Sequence, residues 1–350
     1  MKKPIEDLVR PNIRSLTPYR SARQDHNRGI LLDANENSFG SVLRSDGIAL
    51  NRYPDPSQAL LRGKLAELNS VSPESIFTGV GSDEIIDLLI RIFCRPDADS
   101  VLVIEPTYGM YRVSAGINGI GVISSLLSRD FQIDLEDAGA KASRVKLVFC
   151  CSPNNPTGNL LRSEDILALC SQTNGLVVVD EAYIDFAQAP SLSAFTGDHE
   201  NLVVLRTLSK AWGLAAIRLG YCIASPLVIE YLMKIKPPYN INALTSHFAL
   251  QALGKEREMK ETVQAILLER TKLAAKLESI PCVEKIFPSD SNFLTVRCTN
   301  ARLIRDGLAS KGVIVRDRSS EPLLENCLRI TVGTPAQNDT LVRIMAEISS

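Results

Sequence analysis

The stretch VKLVFCCSPNNPTG, residues 145–158, decides the fold. Its first half is rich in Val, Leu, Phe and Cys without strict apolar–polar alternation, the pattern of a strand buried on both faces, and it stops at a loop of Pro, Asn and Gly. The same unit recurs. Leu176–Asp180 runs into Glu181-Ala182-Tyr183, and Leu202–Thr207 runs into Leu208-Ser209-Lys210. Val101–Glu105 and Arg218–Ala224 have the same character. Between these runs, residues 57–69, 82–94 and 163–172 carry apolar side chains three and four apart, and each begins with a serine expected to cap the first free amides. Alternating helices and strands from about residue 57 to 235 predict an α/β fold with a mostly parallel central sheet flanked by helices.

Working outward, the pattern changes after Pro237-Pro238: a long charged helix over about 256–279, a strand at Phe293–Cys298, a helix at Ala301–Lys311, a strand at Leu328–Val332 and a last helix. This reads as a smaller α+β domain. The expected division is an irregular arm at 1–40, a large domain at 41–240 and a small domain at 241–350, with the arm packed against the small domain.

The 350 residues are 45% hydrophobic and 23% charged, which excludes disordered, collagen-like and coiled-coil chains. Lys plus Arg number 39 against 40 Asp plus Glu, so no basic surplus points to nucleic acid or an anionic membrane. No run approaches the roughly 18 apolar residues of a membrane span, and the first residues lack the apolar core of a secretory signal; a cytoplasmic location is expected. Eight cysteines with no CxxC spacing, beside three histidines, suggest reduced core thiols and neither zinc nor disulfides.

In open parallel sheets, ligands bind beyond the carboxyl ends of the strands, where loops and helix N-termini converge. Asn155, Asp180 and Lys210 each follow such an end. Singly, each has an ordinary role, as a turn residue, a helix cap or a surface lysine. Together, an amide, an acid and an amine on one edge suit a pyridoxal phosphate site, in which an amine condenses with the aldehyde and an acid pairs with the ring nitrogen. Gly79-Val80-Gly81 is a weak dinucleotide signal, since Glu84 stands where a third glycine belongs.

These segments resemble the fold-type I pyridoxal-phosphate-dependent aminotransferases, and within them the histidinol-phosphate aminotransferase family. The resemblance is carried, nearly end to end, by Leu16-Thr17-Pro18-Tyr19, Leu32–Asn37, Asn51-Arg52-Tyr53-Pro54, Gly81-Ser82-Asp83-Glu84, Pro106–Tyr111, Ser152–Gly158, Asp180–Tyr183, Thr207–Ala211 and Cys327–Gly333. It implies transamination of L-histidinol phosphate with 2-oxoglutarate, in histidine biosynthesis. By resemblance, Lys210 forms the Schiff base and moves the substrate proton, Asp180 pairs with the pyridine nitrogen, and Asn155 and Tyr183 bond the phenolic oxygen. Tyr108 stacks on the ring. Gly81, Ser82, Asp83, Thr207, Ser209 and Arg218 surround the cofactor phosphate, and Tyr53 reaches it from a neighbouring subunit, which implies a homodimer with a shared site. Arg329 takes the substrate's phosphate or carboxylate, with Arg316 and Tyr19 adding phosphate contacts. Ser38 departs from the pattern, since many relatives have proline there. An aromatic-amino-acid aminotransferase, a phosphothreonine-type decarboxylase on the same scaffold and a cofactor-sensing regulatory domain remain the alternatives.

Overall fold

The computed structural model describes residues 3–19, 21, 23, 29–43 and 47–349. Its first sheet has seven strands: β1 (Ile76–Val80), β2 (Ser100–Glu105), β3 (Gly121–Leu126), β4 (Leu147–Cys151), β5 (Leu176–Asp180), β6 (Leu202–Thr207) and β7 (Leu219–Ile223). They lie in the order β1-β7-β6-β5-β4-β2-β3. β3, β2, β4, β5 and β6 pair in parallel, while β7 runs antiparallel to both β6 and β1. Two antiparallel pairings restore the direction, so β1 points the same way as β6 and delivers its carboxyl end to the same edge.

Both faces of this sheet are covered. Val177 and Val179 enter one apolar cluster and Leu176 and Val178 the other, which is why the strand sequences lack alternation. β4, β5 and β6 were legible for this reason. β1 and β3 escaped the reading of the sequence: β1 contains Gly79, and β3 is an edge strand with two serines and largely half-buried residues.

The second sheet, β10-β11-β9-β8, is antiparallel throughout and is built from β8 (Val283–Ile286), β9 (Phe293–Cys298), β10 (Arg316–Asp317) and β11 (Cys327–Thr331). The helices Glu256–Glu278, Ala301–Ser310 and Pro335–Ser349 close over it with their own core of Leu273, Leu277, Ile304, Leu308 and Met345. The small unit is joined to the loop after β4, because Asp290 donates its amide to Gly158 at 2.7 Å and accepts from the amide of Leu160 at 2.8 Å.

Three expectations are corrected here. The described part of the arm packs against the large sheet: Ile5, Leu8 and Val9 join the core of Phe93 and Val228, and the Arg10 amide donates to Ile92. Residues 243–253, assigned to the small unit from the sequence without a helix, form the helix Ala243–Leu253, which buries Ala249 in the large core. The opening serines do not cap their helices. Asp55 accepts the amides of Ser57 and Ala59, while Glu84 accepts that of Val80 at 2.7 Å. Val80 and Arg162, at the N-caps of the helices Gly81–Phe93 and Ser163–Gln172, make no side-chain cap. All eight cysteines are buried and none is in a disulfide, and no helix among the described residues is long and apolar enough to cross a membrane.

Candidate active site

The parallel register aligns three strand ends. Cys151 of β4 sits beside Asp180 of β5, and Asp180 beside Leu205 of β6. Beyond that edge lies a cavity of about 250 Å³, and of the residues singled out from the sequence it is lined by Gly81, Ser82, Asp83, Tyr108, Asn155, Asp180, Tyr183, Thr207, Ser209, Lys210, Arg218 and Arg329. Cys151 and Ala182 complete the wall. Neither was singled out, since a buried cysteine and an alanine carry no chemical signal of their own.

Strand geometry selects which acid faces the cavity, because consecutive side chains point to opposite sides. Asp180 faces in. Glu181 turns away, accepting from the Leu192 amide at 2.7 Å and lying 3.7 Å from Arg206. Asp180 is 3% exposed, and burial pushes its carboxyl up to about 6, opposed by hydrogen bonds from the Tyr111 hydroxyl and the Ala182 amide. Opposite it, loss of water around the Lys210 ammonium, together with Arg329 and Arg218, lowers the lysine's pKa. Its Nζ stands 5.5 Å from the centre of the Tyr183 ring, which is itself set edge-on to Phe293.

Asn155 is placed by its neighbour. Asn154 donates to the Pro106 carbonyl and to the Thr157 hydroxyl, both at 2.8 Å, and accepts from Thr107, which pins the loop. Asn155 is then met by Arg329, whose guanidinium donates to its side-chain oxygen. A contact thus spans the two sheets, and it puts the arginine on the cavity rim. Tyr108 donates to Asp83 at 3.1 Å.

At the other end, the helix Gly81–Phe93 points its first turn into the cavity. Gly81 adopts φ +73°, and a Cβ there would come within 2.8 Å of the Arg218 guanidinium. Gly220 on β7 lies so close that its Cβ would be 2.3 Å from the Ser82 nitrogen. Both glycines keep open a cradle of helix amides, with the Ser82 and Ser209 hydroxyls and the Arg218 cation around it. Thr207 also lines the cavity, and its hydroxyl donates to the Leu219 carbonyl and accepts from the Ser209 amide, shaping the turn into Lys210.

This donor set fits pyridoxal phosphate: an amine for an aldehyde, a buried acid for a ring nitrogen, a tyrosine and an asparagine for a phenolic oxygen, and an anion cradle for a phosphate. Three residues named from the sequence lie elsewhere. Tyr53 is half-exposed and stacks on Tyr239 at 4.5 Å. Tyr19 is 75% exposed in a groove with Arg10 and Lys234. Arg316 is exposed on β10, the cross-strand partner of Arg329.

The family model for aminotransferase class I and II matches residues 27–345. The chain is 46% identical to the histidinol-phosphate aminotransferase of Cytophaga hutchinsonii over 344 residues, 97% of this chain and 98% of that one. It is likewise 46% identical to the histidinol-phosphate aminotransferase of Parabacteroides distasonis, over 98% of each chain. Among solved structures, the histidinol-phosphate aminotransferase of Sinorhizobium meliloti in complex with pyridoxal-5'-phosphate aligns with a TM-score of 0.79 at 27% identity, covering 97% of this chain and 96% of that one.

Proposed function

The chain belongs to the class I and II aminotransferase family, and from that premise we propose that it transfers the amino group of L-histidinol phosphate to 2-oxoglutarate, giving imidazole acetol phosphate and L-glutamate in L-histidine biosynthesis. The observation that carries the reading is the single cavity in which Lys210 and Asp180 meet Arg329, with Asn155 bonded to that arginine. The near full-length similarity to histidinol-phosphate aminotransferases supports it.

Pyridoxal phosphate supplies an electron sink for the pair left when the substrate carbon loses its proton. The protein does the rest. Lys210 holds the cofactor and, with its pKa lowered, provides a neutral amine to take that proton and return it. Asp180 keeps a proton on the ring nitrogen by its charge. Tyr183 and Asn155 orient the ring oxygen, Tyr108 covers the ring, and the amides of Ser82 and Asp83 with Ser209 and Arg218 anchor the phosphate. Arg329 offers a planar fork that suits a phosphate in one half-reaction and a carboxylate in the other.

Arg329→Ala is therefore expected to lower kcat/KM about 10²-fold for both histidinol phosphate and glutamate, mainly through KM, with the cofactor retained. Steady-state kinetics of the two half-reactions check this; a loss confined to one substrate would contradict the shared role. Comparing histidinol phosphate, phenylalanine and phosphothreonine as donors, with release of carbon dioxide followed, tests the substrate. Turnover with the first is expected. Preference for phenylalanine, or carbon dioxide from phosphothreonine, would select an alternative activity.

The site is completed by a second copy of the chain. Tyr53 stands outside its own chain's cavity with half its surface exposed, so it is available to a neighbour's cofactor phosphate, and a homodimer is the working form. Mixing Lys210→Ala with Tyr53→Ala protein after dissociation is expected to restore about a quarter of the wild-type sites, since one of the two sites in each mixed dimer is intact. Activity no greater than that of the unmixed variants would contradict the shared site. Tyr19 and Arg316 reach the substrate phosphate in that assembled form. The enzyme works in the cytoplasm, on small molecules, with neither nucleic acid nor membrane as a partner.

A further inference from the structure

We infer that Tyr111 is a positioning residue for this reaction, its hydroxyl holding the Asp180 carboxylate ionised and turned toward the ring nitrogen's place. The inference deepens the proposed function and rests on its reading of Asp180. Tyr111 lies on the helix Met110–Ile117 and is fully buried. Its ring stacks on Phe149 at 4.8 Å with 7° between the planes and meets Tyr108 edge-on at 5.6 Å. A phenylalanine would fill that apolar space equally well. The hydroxyl needs another explanation, and it has one: it donates to Asp180 Oδ2 at 2.8 Å.

The other carboxylate oxygen, Oδ1, accepts from the Ala182 amide at 3.1 Å. Asp180 is thus held at both oxygens, by the helix that carries Tyr111 and by the turn that leaves its own strand, which fixes the plane of the carboxylate. Tyr111 is absent from the cavity lining; its hydroxyl also meets the Cys151 thiol, and its effect on the ring nitrogen's place runs through Asp180.

The charge balance makes this contact consequential. Burial and Asp83 disfavour the ionised carboxylate; Tyr111, Ala182 and Lys210 favour it, and the Tyr111 hydrogen bond is the largest of the three. The remaining groups around it are Tyr108, Tyr183 and the Cys151 thiol, all raised in pKa and uncharged at neutral pH. Burial and the neighbouring acid hold the Tyr111 phenol well above its ordinary value as well, so it remains a donor. A neutral carboxyl cannot pair with a protonated ring nitrogen, so cofactor retention falls as pH falls through the pKa of Asp180. Removing a donor to the ionised form moves that pKa upward.

The test is equilibrium dialysis of the holoprotein between about pH 5 and 9, with bound pyridoxal phosphate measured for wild type and Tyr111→Phe. The variant is expected to lose cofactor with a midpoint about one pH unit higher, a tenfold change in proton affinity, and to match wild type at the alkaline end. Replacing Tyr111 with difluorotyrosine, a stronger donor of the same shape, shifts the midpoint downward and serves if phenylalanine impairs folding. In an Asp180→Asn background, Tyr111→Phe produces no further shift. An unmoved midpoint in both Tyr111 variants would overturn the inference alone, whatever their melting temperatures. Failure of wild type to retain the cofactor at any pH would instead overturn the proposed function.

Discussion

Lys210→Ala is expected to reduce turnover by at least about 10⁴-fold and to abolish the visible absorbance of the lysine-bound cofactor. General acid–base catalysis alone accounts for up to about 10⁴, and under the proposed function this amine would also make the covalent attachment. Among the described residues no other lysine lines the cavity. The lowered pKa of Lys210 sets the pH behaviour: the neutral amine is the reactive form, so activity rises with pH as the ammonium loses its proton, and partial burial beside Arg329 and Arg218 brings that rise to lower pH than for an ordinary lysine. Stopped-flow absorbance and steady-state assays check both effects. A coloured variant with near-normal turnover would remove Lys210 from its role.

Asp180→Asn is expected to cost about 10² to 10³ in kcat, the range found when one preorganised electrostatic partner of a developing charge is removed. The amide is nearly isosteric: its oxygen still accepts from the Ala182 amide, and the Tyr111 hydroxyl turns to accept from its nitrogen, so the fold persists; what would disappear is the negative charge proposed to keep the ring nitrogen protonated. Folding stability should respond in a defined direction. In the cofactor-free protein the Asp180 pKa of about 6 lies above its ordinary value, so the folded state holds the proton more tightly and this group's contribution to stability declines as pH rises through that window. The asparagine variant lacks this term, so its melting temperature above about pH 6 should equal or exceed that of the cofactor-free wild type. Proton abstraction measured by exchange of the substrate α-hydrogen separates the catalytic effect from mere loss of cofactor, provided saturating cofactor is supplied. Exchange at the wild-type rate would count against the assignment.

How far these residues could be read in advance follows from where each one gets its partner. β4, β5 and β6 declared themselves because burial on both faces demands unbroken apolar runs, and Asn155, Asp180 and Lys210 stand at or just beyond their ends. Arg329 required the family resemblance, since β11 belongs to the other sheet and only the folded chain brings it to Asn155, 174 residues away in sequence. Tyr111 was invisible as a participant for the same reason: its partner is 69 residues distant and its surroundings suit any aromatic ring. The serine caps failed because the helices begin elsewhere: Ser82 and Ser163 already lie in the first turn, behind Val80 and Arg162 at the N-cap, and Asp55 takes the amides of Ser57 and Ala59. Tyr53, Tyr19 and Arg316 are exposed and lie outside the cavity.

The central claim is that one amine carries the cofactor. Borohydride reduction of the yellow holoprotein, followed by proteolysis and mass spectrometry, would fix the attachment permanently and locate it. A reduced pyridoxyl phosphate group on Lys210, one per chain, is the predicted result; its recovery on a different lysine, or on none, would contradict the account.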